Sequence, residues 1–227
     1  MNEQQGNTKA IIVDVFKGLV AQGQHKKISV QNIAELSGVS RKTFYYHFAD
    51  KARLIQWVYR FELAGLLEAN CATEDLVSLP PGSRLNYPEL PFYARTPVGI
   101  RSLDGSQFFG ILGEYLQKNR EYYRRVITDR PFSNFIRYVI SLYQQAIISD
   151  IRFILGGRQL PQECLSQLAM YFTNAAITHY FDALLYSNRD LRGLLPEGFL
   201  NINHENMSAA IESYFSQGAN KFSFLGR

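Results

Sequence analysis

Arg41 and Lys42 stand side by side directly after Ser40, with Thr43, Tyr45, Tyr46 and His47 close behind and Lys51 just beyond. An arginine guanidinium can donate two hydrogen bonds to the O6 and N7 of one guanine, and a lysine reaches the same edge. The Thr43 methyl suits the methyl group of thymine, and Tyr46 falls on the groove side, in reach of a base or sugar. If a helix opens at Arg41, its first-turn backbone N–H groups also point outward, where base edges and phosphates accept from them. That chemistry is the reading of double-stranded DNA. Taken singly, the same residues have plainer readings: Lys42 and Lys51 as solvated lysines, His47 as a packed helix end.

Charge points the same way. Residues 1–60 hold nine Lys/Arg against four Asp/Glu, while residues 61–227 hold fifteen against sixteen. The excess behind the net +4 therefore belongs to the first quarter of the chain. A basic head on a near-neutral body suits an anionic partner, nucleic acid first, although a solvated basic surface explains charge alone equally well.

These side chains need short helices to hold them. Thr8 to Gly23 has apolar residues at helical spacing (Ile11, Ile12, Val15, Phe16, Leu19, Val20) and stops at glycine. Ser29 is a good N-cap for a second helix carrying Val30, Ile33, Ala34 and Leu36, and Ser40 caps a third running to Phe48. Ser37-Gly38-Val39-Ser40 between them is the turn of a helix-turn-helix, with Phe44 and Phe48 packing inward against Ile33, Leu36 and Val39. Asp50 caps a fourth helix over 51–70, whose apolar stripe is Leu54, Ile55, Val58, Phe61 and Leu66.

The run from Ile28 to Lys51 resembles the DNA-binding signature of the TetR/AcrR family of regulators. Ser29 matches the capping position, Ile33-Ala34 the buried pair and Gly38-Val39-Ser40 the turn. Thr43, Tyr45, His47, Phe48, Lys51 and Leu54 match the recognition helix and the start of the connecting helix. The resemblance covers about residues 8–60 and implies that Tyr45, His47 and Lys51 contact phosphates, setting register rather than sequence. Ser29, Ser40, Arg41, Lys42, Thr43, Tyr45, Tyr46, His47 and Lys51 are thus the expected DNA-binding set. Farther on, Phe108 to Phe132 is similar to the C-terminal domain of the dihydroxyacetone kinase regulator subfamily. Some members of that subfamily act with a partner protein.

Residues 71–103 have no period and hold Pro80, Pro81, Pro88, Pro91 and Pro97, which suits a lid, a packed surface loop or a linker. Helical spacing returns over 105–118, 120–128, 131–155, 161–186 and 204–218, with a loop expected over 187–203. Phe108, Tyr115, Tyr122, Phe135, Tyr138 and Tyr143 are candidates to line an effector pocket between helices, although an aromatic stripe is also what a core looks like. Leu165, Leu168, Phe172, Ala176, Tyr180 and Ala183, with Ile211, Tyr214 and Phe215 on the last helix, are candidates for a dimer interface. Such stripes can pair with their two-fold copies as a four-helix bundle, as in relatives. Arg120, Arg124, Arg125 and Arg130 cluster around one short helix and suit an anionic ligand, a protein partner or a solvated face.

No GxSxG, HExxH, GxGxxG or P-loop run occurs, so no catalytic residue, metal ligand or cofactor is assigned. His179 and Asp182, three apart, suit a polar contact between helices better than a metal. Apolar residues make up 46% and charged residues 19%, a globular balance. No apolar run is long enough for a membrane span, and the N-terminus lacks a secretory pattern. Cys71 and Cys164 form no CxxC pair, which fits a reducing cytoplasm.

The expectation is an all-α chain. A helix-turn-helix domain (1–50) joins through a connecting helix (51–70) to an effector-binding and dimerising helical domain (71–227). Its partners would be a DNA operator, a small-molecule effector and a second copy, and its role that of an effector-responsive repressor on a palindromic operator. The alternative is an adaptor or co-activator with a DNA-binding fold that acts through a partner protein.

Overall fold

The computed structural model describes residues 3–23, 28–128 and 134–216, which are mostly helical, with 71–105 the one long exception. The head consists of α1 (Glu3–Ala21), α2 (Val30–Leu36) and α3 (Arg41–His47), from which α4 (Lys51–Asn70) leads into the body. The body continues through α5 (Ser106–Lys118), α6 (Arg120–Thr128), α7 (Asn134–Leu155), α8 (Gln162–Tyr186) and α9 (Glu197–Ser216).

Each short head helix starts where a side chain satisfies its free N–H groups. Ser29 Oγ accepts from Asn32 N at 3.1 Å while Asn32 Oδ1 accepts from Ser29 N at 3.2 Å, a reciprocal capping box. Ser40 Oγ accepts from Thr43 N at 3.0 Å, and Asp50 Oδ1 from Arg53 N at 2.7 Å. Gly38 has φ +66°, the left-handed backbone that lets α2 stop and α3 start within one turn. Ile12, Phe16, Ile33, Phe44 and Phe48 are buried in one apolar cluster that continues into the body.

The apolar faces differ from expectation where more than one neighbour covers a helix. Leu36, expected inside, is 62% exposed, and Phe61 and Leu66 on α4 are exposed as well. Instead α4 buries Trp57 beside Phe48 of the head, and Tyr59, Leu63 and Leu67 where the body covers a second side of it. Phe61 lies stacked on Trp57 with ring centroids 4.5 Å apart.

The proline-rich stretch is a packed surface segment. It contains two antiparallel pairs: β1 (Leu76–Val77) with β2 (Tyr93–Ala94), and β3 (Thr96–Gly99) with β4 (Ser102–Asp104). Strands this short leave no alternation to read. The segment is held by Arg60 of α4, which is fully buried. Its guanidinium donates to the carbonyls of Asn86 (2.9 Å), Tyr87 (2.8 Å) and Leu90, and lies 5.4 Å from the Phe92 ring. Carbonyl acceptors and an aromatic face replace the water this cation has lost.

One helix boundary differs clearly from the expectation. The helix expected at 204 begins at Glu197, after Pro196, whose carbonyl accepts from Phe199 and Leu200 N. The Pro-Glu pair is an ordinary helix-start signal that was passed over. The turn before it packs closely on α5: a Cβ on Gly113 would collide with the Leu191 carbonyl oxygen, so only glycine fits there.

Candidate nucleic-acid interface

On α3 the buried side is Phe44, at 0% exposure, with Phe48 following at the C-cap. Because α3 is anchored by these two rings, Arg41, Lys42, Tyr45 and Tyr46 are left exposed on its other face, with Thr43 and His47 at the edge. Tyr46 is 71% exposed, a large aromatic surface kept in water. Thr43 Oγ1 is engaged with Ser40 Oγ at 2.8 Å, so the hydroxyl is tied to the cap. Tyr45 stands edge-on to Phe44 (5.7 Å) and Tyr46 edge-on to His47 (5.1 Å), which limits how far either phenol can swing.

His47 and Lys51 have structural duties besides. Burial, reinforced by the nearby Lys9 cation, holds the His47 pKa below its ordinary 6.5. Lys51 Nζ donates to the Ile28 carbonyl at 2.5 Å, tying the start of α4 to the entrance of α2. Of the nine cations in residues 1–60, Arg60 on α4 is buried and lies outside any anion-facing surface.

The expected pocket residues separate into two groups. Phe108 and Tyr143 line a cavity of about 90 Å³ enclosed by α5, α7, α8, α9 and β4. Tyr115, Tyr122, Phe135 and Tyr138 do not line it. Tyr115 donates to Glu62 (3.0 Å) and meets the Tyr123 hydroxyl, while Phe135 packs on Tyr59 and Tyr123. Tyr122 stands edge-on to Phe16 at 6.3 Å, and Tyr138 faces Arg60. Helical spacing put all six on inward faces, but one inward face serves the core at one level and the cavity at another. Asp150, Thr173 and His204 also line the cavity and were missed. A lone carboxylate in the apolar run around Asp150 was the available signal.

The expected dimer stripe is covered within the chain itself. Leu165, Phe172, Ala176, Tyr180 and Ala183 are buried, because this face of α8 packs on its own body. Tyr180 donates its hydroxyl to the Phe109 carbonyl at 2.9 Å. Leu168 packs against a second cluster that contains Ile211, and Phe215 lies under the Arg158 guanidinium (4.6 Å). Tyr214 is half-buried. The face of α8 that remains open carries Met170, Tyr171, Asn174, Ala175, Thr178, His179 and Asp182, with Tyr171 69% exposed. Phe199 and Ile202 are exposed on α9.

The arginines of α6 bind helix ends. Arg120 and Arg124 donate to carbonyls at the end of α8, including Ser187 O at 2.8 and 2.6 Å. Arg125 donates to Val20 (3.0 Å) and Ala21 at the end of α1. Cations there complement the negative end of a helix dipole. Arg130 lies outside the described residues. Among the described residues no three His, Cys, Asp or Glu side chains converge as a metal site needs, and no helix is long and apolar enough to cross a membrane.

Residues 19–58 match the family described as bacterial regulatory proteins, tetR family. A curated relative, the HTH-type dhaKLM operon transcriptional activator DhaS of Lactococcus lactis subsp. lactis (strain IL1403), is 32% identical over 63 residues. That match covers 28% of this chain and 34% of the relative, so the chain spans about a third of that protein. A solved structure, the dihydroxyacetone kinase operon activator DhaS, superposes with a TM-score of 0.52 at 18% identity. The superposition covers 91% of this chain and 97% of that one, which extends the likeness of fold through the body.

Proposed function

We propose that this chain, whose head belongs to the tetR family of bacterial regulatory proteins, is a sequence-specific DNA-binding regulator of transcription. The observation that carries the reading is the α3 surface: a helix pinned by Phe44 that turns Arg41, Lys42 and Tyr46 to solvent on a capped, outward N-terminus. In this reading Arg41, Lys42 and Thr43 read bases, Tyr46 reaches a base or sugar, and Ser29 and Ser40 set the two helices. Tyr45, His47 and Lys51 meet phosphates. The chain acts in the cytoplasm as a homodimer on a palindromic operator, with residues 1–50 as head, 51–70 as connector and 71–227 as an effector-binding and dimerising body.

The sign of regulation has two readings. Repression is the expectation from the sequence, whereas both relatives are described as activators, which favours activation. A promoter carrying the operator, fused to a reporter in cells with and without the chain, separates them.

Selection of bound sequences from a random DNA library tests the main reading. The expected product is an inverted repeat with half-site centres about 34–36 Å apart, one turn of DNA. Affinity for it should fall steeply as salt rises. Recovery of no preferred sequence would leave the adaptor acting through a partner protein.

A further inference from the structure

Residues 78–92 form a closed loop laid along α4. The β1–β2 pair joins its ends, Leu76 opposite Ala94 and Val77 opposite Tyr93, and Phe92 N donates to the Val77 carbonyl at 3.0 Å. A compact surface segment of this length with its ends together is an Ω-loop. Pro80, Pro81, Pro88 and Pro91 fix φ at four of its positions, so it moves as one piece rather than residue by residue.

The loop grips one face of α4 at three successive turns. Tyr87 donates its hydroxyl to the Arg53 carbonyl at 3.1 Å, and Asn86 Nδ2 donates to Gln56 Oε1 at 3.1 Å. The Arg60 guanidinium donates back to the carbonyls of Asn86, Tyr87 and Leu90, and to the Tyr138 hydroxyl of α7 at 3.4 Å. Loop, α4 and α7 therefore meet at one cation. Tyr87 has φ +62°, a left-handed backbone that a bulky residue rarely adopts. Such a conformation persists only where its surroundings hold it. The acceptors of Arg60 are neutral, so opening trades carbonyl bonds for hydration of a full charge, and the grip is reversible.

This grip falls on the half of α4 that carries the recognition helix. Asp50 caps α4 directly after α3, and Phe48 packs on Trp57 with ring centroids 5.8 Å apart. The Lys17–Glu62 pair and the bond from Arg125 to the end of α1 act elsewhere on the head. An α-helix of this length spans about 30 Å, and one base pair of DNA about 3.4 Å. A tilt of α4 by about 6–7° thus carries α3 from one base pair to the next.

We propose that the 78–92 loop is a latch that selects operator spacing. By fixing α4 at Arg53, Gln56 and Arg60, it holds α3 where two copies of the chain can engage only one separation of half-sites. This rests on the reading of the chain as a dimeric DNA-binding regulator. Arg60, Asn86 and Tyr87 are positioning residues, because in that reading none of them touches DNA.

The test uses the full chain and the operator recovered by selection, with one or two base pairs added or removed between its half-sites. The wild-type chain should favour one spacing over its neighbours by at least about tenfold. The Tyr87→Phe/Asn86→Ala variant removes the bonds to Arg53 and Gln56 while Arg60 stays in place. Hydrogen exchange of amides 53–60 and 83–92 should then quicken at least about tenfold, and the spacing preference should fall to about threefold or less. Base preference within each half-site should not change. Arg60→Met should flatten the spacing profile further; if it fails to fold, the double variant still decides. A chain that is only less stable would lose affinity for every spacing in the same ratio. An unchanged ratio in the double variant, unchanged exchange, or a wild-type chain indifferent to spacing would each overturn the latch and leave DNA reading intact. Selection that recovers no preferred sequence would overturn the regulator reading, and the latch with it.

Discussion

Arg41 is exposed at the first position of α3 and Lys51 is not an ordinary surface lysine, so their substitutions should differ in kind. Arg41→Ala should weaken operator binding by about 1–3 kcal/mol and relax preference at one base pair, with the melting temperature unchanged. Lys51→Ala should weaken all sequences alike and flatten the salt dependence. It should also lower the melting temperature, because the bond to Ile28 O is lost. Binding curves on operator variants, together with thermal denaturation, check both. His47 adds a pH dependence. Its folded pKa lies below 6.5, so the folded head binds fewer protons than the unfolded chain, and its contribution to stability falls as pH drops through that value. A phosphate favours the imidazolium, so DNA binding should take up a proton and tighten as pH falls below 6.5. His47→Gln should remove this part of the rise, measured as operator affinity against pH at fixed salt.

At the level of elements, α4 is joined to the body by polar links as well as by packing. Lys17 on α1 pairs with Glu62 on α4 at 2.5 Å, and Glu62 accepts from Tyr115 on α5 at 3.0 Å. Tyr59 and Tyr143 share a buried hydrogen bond, and Arg125 of α6 holds the end of α1. Movement in the body therefore has several routes into the head. Tyr59→Phe leaves the Tyr143 hydroxyl without this partner and should cost about 1–3 kcal/mol, most of which the Tyr59→Phe/Tyr143→Phe double variant recovers. Denaturant melts of the three variants test it. Additive losses would show that the two hydroxyls do not act as a pair.

For the whole molecule the question is which surface a second copy covers. Ala176 is buried and lines the cavity, so Ala176→Arg should unfold the body rather than report on association. Ala175 is exposed on the open face of α8 beside Tyr171. If that face is the dimer interface, Ala175→Arg should give monomers that keep their helical content and bind the operator weakly. Sedimentation and circular dichroism read the two properties separately, and a dimeric Ala175→Arg chain would move the interface elsewhere.

Local rules were enough to determine most of the head from the sequence, the exposed Leu36 excepted. Ser29, Ser40 and Asp50 cap adjacent helices, Gly38 makes the turn, and Phe44 and Phe48 choose which side of α3 faces inward. Each of these acts over a few residues, within reach of spacing and residue type. The body's helices were legible for the same reason, since an apolar period declares that a face is covered. What covers a face is a different matter, because it depends on residues far away in the chain. The stripe on α8 reads the same whether it meets a second copy or its own α7, and here it meets α7. Six aromatics with one period divide between a core and a cavity. The arginines of α6 cap α8 and α1, sixty or more residues away on either side. Arg60, which counts as one more positive charge in the sequence, becomes a buried clasp because three carbonyls of a distant loop fold onto it. Those partners are chosen by the packing of the whole chain, and only the tertiary structure supplies them.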